Sequence, residues 1–111
     1  MDESTIHELT LDQLHKAKML MTSPEWSEKM QAANPDQRQK SQLALLRLQQ
    51  ACTAMENAQL DEIADQLKDN EPALLAGQKA IDAACDHVDN IQSVLKTVTS
   101  LVNAAAKVVT L

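Results

Sequence analysis

The stretch LLAGQKAIDAACDHVDNIQSVLKTVTSLVNAAAKVV, residues 74–109, decides the fold. Numbered as heptads, it puts Leu74, Ile81, Val88, Leu95, Val102 and Val109 at one core position. Gly77, Ala84, Ile91, Val98 and Ala105 fall at the other. Strict 3–4 alternation, apolar everywhere except one glycine, predicts one long helix over 72–110 with a narrow seam laid against other helices, as in a coiled coil. Lys79, Asp82, Asp86, Asp89, Lys96 and Lys107 all lie off that seam.

Upstream, three start signals organise the chain. Thr5-Ile-His-Glu8 and Thr10-Leu-Asp-Gln13 both read as capping boxes, so a first helix is expected to begin at one of them and to run over about 6–22. Ser23-Pro24-Glu25 combines a hydroxyl cap, a proline at the first helical position and an acid in the first turn. It opens a short helix, 24–33, with Trp26, Met30 and Ala33 on one stripe. Asn34-Pro35-Asp36-Gln37 repeats the device and opens a helix that meets no Pro or Gly before Pro72. Its apolar stripe shifts by an eleven-residue step between Cys52 and Ile63, a stutter in the seam.

Two helices, 36–69 and 72–110, joined at Asp69-Asn70-Glu71-Pro72 must run antiparallel as a hairpin roughly 50 Å long. The expected architecture is therefore all-α: one helical domain over 1–111, a long antiparallel hairpin with one or two short N-terminal helices packed on its base. Val94, Leu101 and Val108 widen the apolar face at that base. Leu95, Val98, Leu101, Val102, Val108 and Val109 are the candidate bundle or oligomer interface. A narrow seam over Leu74–Val88 is closed most simply by pairing two hairpins, so a homodimer is the favoured assembly.

Leu67-Lys-Asp-Asn-Glu-Pro-Ala-Leu-Leu-Ala-Gly-Gln78 followed by a long apolar helix resembles the turn and C-terminal helix of type III secretion needle subunits. The likeness covers under half of the chain and lacks the paired prolines of that turn. What it implies is helical-hairpin packing.

Charge is unevenly spread. The formal charge is −6, and Glu56–Asp89 holds nine acids and two lysines, leaving seven acids and eight bases elsewhere. Asp61, Glu62, Asp65, Asp69, Asp82, Asp86 and Asp89 form the candidate docking surface for a basic protein at the hairpin tip. The negative total and the absence of Phe and Tyr argue against nucleic acid.

Nothing in the chain points to catalysis. Asp12 and His15 alone approach a Glu-x-x-His arrangement, so no metal is expected there. No calcium-loop pattern occurs, a single Gly cannot build a phosphate-cradling loop, and no nucleophile has a neighbouring base. Neither catalytic residues nor a cofactor are assigned. Cys52 and Cys85 read as reduced, buried thiols, Trp26 as a core residue, and the methionines as gap fillers. Val94–Leu111 carries Lys96, Asn103 and Lys107 and is too polar for a membrane span, so burial in a bundle is expected and a membrane is not an expected partner. With no apolar run after Met1-Asp-Glu-Ser4, cytoplasmic residence is the default, and signal-less secretion is compatible with the same features.

The functional expectation is a non-enzymatic interaction or oligomerisation module. The competing one is a membrane-active or secretion-associated hairpin that would expose the C-terminal helix.

Overall fold

A computed structural model describes residues 1–111, which form α1 (Glu3–Met21), α2 (Pro24–Ala32), α3 (Pro35–Asn57), α4 (Leu60–Asp69), α5 (Glu71–Asp86) and α6 (Ile91–Ala106). Local signals set most of the starts. Ser23 accepts from the Trp26 amide with Pro24 behind it, and Asn34 and Gln37 close a reciprocal capping box ahead of α3. α1 begins earlier than either threonine box predicts. Asp2 is the cap, its carboxylate accepting from the Thr5 amide at 2.8 Å. That bond holds the Asp2 carboxyl below its ordinary value. Thr10 lies inside α1, buried, and donates to the Ile6 carbonyl at 2.8 Å.

Each of the two long helices expected over 36–69 and 72–110 is broken. At Ala58 and Gln59 the backbone turns extended, with ψ of 138° and 129°, and Gln59 makes no side-chain cap. The break lies inside the eleven-residue stutter. It turns Ile63 and Leu67 onto α1, where they are 7% and 0% exposed. Burying two such side chains is worth about 1.5–3 kcal/mol each, which offsets the few helical hydrogen bonds given up. The second break, His87 to Asn90, leaves Val88 buried and lets the Asn90 side chain cap α6 by accepting from the Ser93 amide at 3.1 Å. The 3–4 spacing thus survives in burial across a turn. Only Gly77 and Ile91 of its eleven positions are not fully buried.

The result is an all-α helical bundle, as expected, but four helices close it along their length in place of a base with a projecting hairpin. α1 runs antiparallel to α3, since His7 bonds the Met55 carbonyl at one end and Met21 shares a cleft with Leu45 at the other. It runs parallel to α5, with Gln13 bonded to the Leu74 carbonyl and Lys16 to Asp82. α3 and α6 are parallel: Gln37 lies by Asn90 to Gln92, and Gln50 and Ala54 lie by Thr110 and Leu111. α5 and α6 return on each other through the 87–90 turn. Going round, the order is α1, α3, α6, α5. α2 joins α1 to α3 across one end, and α4 crosses the other end on α1. The molecule measures 44 × 23 × 18 Å.

The first helix is therefore not a short element on the base. It closes the Leu74–Ile81 seam along the length of the bundle. It does so with two polar residues in the core, Thr10 and Gln13, 0% and 1% exposed. That removes the open seam on which a paired-hairpin homodimer was expected.

Candidate interaction surface

Acidic residues are missing from two stretches, Gln37–Met55 and Asn90–Leu111, while Arg38, Lys40, Arg47, Lys96 and Lys107 fall within them. The fold lays these stretches side by side as α3 and α6, so a protein of charge −6 carries one edge without a carboxylate along its middle. Between the two helices runs an open groove of about 390 Å³. Its floor is Ala44, Leu95 and Val102; Leu43, Lys40 and Arg47 form one wall, and Gln92, Lys96, Thr99, Ser100 and Asn103 the other. It exists because the facing positions are short: Ala44 on α3 and Thr99 and Ser100 on α6 do not span the gap between helix axes.

Two properties make this groove a candidate site. Leu43 and the neighbouring Leu46 are 54% and 52% exposed, one turn apart on the outer face of α3. The cations beside them are mostly free. Arg47 and Lys96 have no carboxylate within ion-pair distance, and Lys40 meets only Asp36 on its own helix at 3.1 Å. Arg38 is engaged, donating to the Ala33 carbonyl at the end of α2. The surface offers apolar contact and positive charge together, which suits an acidic group on an apolar-backed helix. Its signal in the sequence was the absence of acids, not the presence of a motif.

The residues singled out from the sequence are dispersed. Asp61, Glu62, Asp65 and Asp69 are exposed on α4 at one end of the bundle. Asp86 and Asp89 are exposed at the far end of α5 and in the following turn, and Asp82 is tied to Lys16 at 3.2 Å. Asp69 and Asp86 are separated by the length of α5, roughly 25 Å. No single acidic tip exists, because the break at Ala58 and Gln59 lays α4 on α1 and not alongside α5, so the two groups do not share a face. Leu95, Val98, Leu101, Val102, Val108 and Val109 are all buried, from 0% to 9% exposed. They pack in the chain's own core, the bundle side of the bundle-or-oligomer expectation, where α1, α3 and α5 cover α6, and only Leu95 and Val102 reach the floor of the α3/α6 groove.

His15 donates to Glu56 at 2.8 Å rather than facing Asp12, and His7 donates to the Met55 carbonyl at 2.9 Å. No group of three or more His, Cys, Asp or Glu side chains is placed to hold a metal ion. Trp26 is buried, as expected of a core residue, with its indole N–H donating to Ser41 Oγ at 3.0 Å.

Both thiols are free. Cys52 is buried but Cys85 is exposed, contrary to the expectation that both lie inside. Burial pushes the Cys52 thiol up; partial desolvation and then Asp82 push up that of Cys85. A raised pKa lowers the thiolate fraction at neutral pH. Ellman's reagent at pH 7 should therefore titrate one thiol per native chain, more slowly than free cysteine, and two after denaturation. Two fast thiols in the native protein would contradict this placement.

Comparison with family models, with curated proteins and with solved structures finds no match for this chain.

Proposed function

We propose that the protein is a non-enzymatic interaction module that seats an acidic helical surface of another protein molecule in the α3/α6 groove. One observation carries this: Lys40, Arg47 and Lys96, unopposed except for Asp36, surround an apolar floor next to the exposed Leu43 and Leu46. A helix laid in a groove uses both components, apolar contact for affinity and charge for orientation and rate.

Other occupants fit less well. A phosphate backbone has no use for Leu43 and Leu46, and the rest of the chain is acidic. A bilayer favours a convex apolar face, whereas this surface is concave, and no helix is long and apolar enough to cross a membrane. A two-fold dimer through this edge would set Lys40, Arg47 and Lys96 against their own copies.

The test uses a stapled peptide helix of about four turns, with glutamates at four-residue spacing and leucines beside them. Fluorescence anisotropy should show saturable binding. The double substitution R47E/K96E should weaken it by at least about tenfold, or 1.4 kcal/mol. The fold should survive, because both side chains are exposed. Equal binding by the double variant, or no binding by the native protein, would sink the reading. Cosedimentation with anionic vesicles, lost in the same variant and unaffected by the peptide, would replace it with a membrane role.

A further inference from the structure

We infer that the occupant of the α3/α6 groove is the outer face of α4 from a second copy of this chain, so that molecules join head to tail. The inference rests on the groove being a docking site for an acidic helix and names the helix. Asp61, Asp65 and Asp69 recur at four-residue spacing along α4, all exposed and none in an ion pair. As a ladder they span about 12 Å, eight residues of helical rise. Across the groove, Lys40 and Arg47 stand seven residues apart on α3, about 10.5 Å. Lys96, the sixth residue of α6, stands level with Lys40, the sixth of α3, because the two helices run parallel from adjacent starts. The two ends of the acidic ladder thus match the two levels of cations, Lys40 with Lys96 at one and Arg47 at the other, over nearly equal lengths.

The geometry also dictates the kind of assembly. Ridge and groove lie on different parts of the molecule, so the contact is heterologous: each copy still offers a free ridge and a free groove. Growth is open-ended unless the rotation between neighbours closes a ring. The net charge of −6 opposes it at very low salt, physiological salt screens that long-range repulsion, and high salt weakens the paired charges themselves.

The test is complementation between two half-dead variants. R47E/K96E removes the groove and keeps the ridge; D61N/D65N/D69N removes the ridge and keeps the groove. All five positions are exposed, and circular dichroism checks that both variants fold. In analytical ultracentrifugation the native protein should show a mass that rises with concentration up to about 1 mM and falls in 0.5 M salt. Each variant alone should remain monomeric. Mixed in equal amounts they should form a one-to-one dimer and nothing larger, because the only intact ridge and the only intact groove are on different chains. A native protein that stays monomeric while the acidic peptide still binds would overturn self-assembly and leave the groove standing. Failure of both peptide and copies would overturn both. Self-association that persists in either variant alone, or a mixture that forms no dimer, would also overturn the inference.

Discussion

Leu14→Ala is expected to lower stability by about 2–5 kcal/mol, a large part of what a domain of this size holds. Leu14 is 0% exposed in the middle of α1. α1 touches every other helix of the bundle, with α3 and α5 on its flanks and α4 across its end. If α1 were an accessory packed on the base of a hairpin, the cavity would loosen one end and spare the rest. As the central helix, it should take the whole chain with it. Urea unfolding followed by circular dichroism and by Trp26 fluorescence checks this. Trp26 lies on α2 and bonds Ser41 on α3, so it reports on elements other than α1, and the two probes should move together to the same lower midpoint. A fluorescence transition left at its native midpoint would show that α1 unfolds by itself, and the bundle described above would be wrong.

Gly77→Ala should destabilise the protein, although alanine is the better helix former by about 1 kcal/mol. A Cβ added at Gly77 would lie 2.6 Å from Gln13 Oε1 and 3.4 Å from Leu101 Cδ1. The second contact is tolerable; the first is not. Gln13 is 1% exposed and its amide donates to the Leu74 carbonyl at 2.7 Å, so the side chain cannot move aside without breaking that bond. Losing a buried amide hydrogen bond costs about 1–3 kcal/mol, which exceeds the propensity gain. The sign should reverse in a Gln13→Ala background, where the crowding atom is gone and Gly77→Ala should stabilise by about 0.5–1 kcal/mol. A double-mutant cycle measures this coupling directly. Additive effects would mean that the glycine serves some purpose other than making room for Gln13.

How far the sequence could be read is clear from particular residues. Ser23-Pro24 and Asn34-Pro35 announce their helices because capping chemistry is local, complete within four residues. The apolar positions from Leu74 to Val109 were legible as core for a similar reason: periodicity reports which face is buried. It does not report what buries that face, nor whether the helix is continuous. Ala84, Val88 and Ile91 keep a 3–4 spacing through a four-residue turn that contains neither Gly nor Pro. The signals were Asn90 three residues before Ser93, and the stutter before Ile63; both are weak beside the strength of the repeat. The polar core pair Thr10 and Gln13 was invisible, because a buried polar residue looks like a surface one until its partner is known.

The candidate site divides in the same way. Its charges were present in the sequence as two acid-free stretches separated by the 34 residues from Glu56 to Asp89. Their meeting as one groove depends on the parallel packing of α3 and α6, which the 87–90 turn creates by reversing α6. The sequence alone determined the helical class, the capped starts of α2 and α3, and which residues of the last third are buried. These follow from chemistry that acts over a few residues. The helix breaks, the central place of α1 and the α3/α6 groove were decided only in three dimensions. Each is a choice among ways of burying the same apolar faces, and that choice depends on long-range packing.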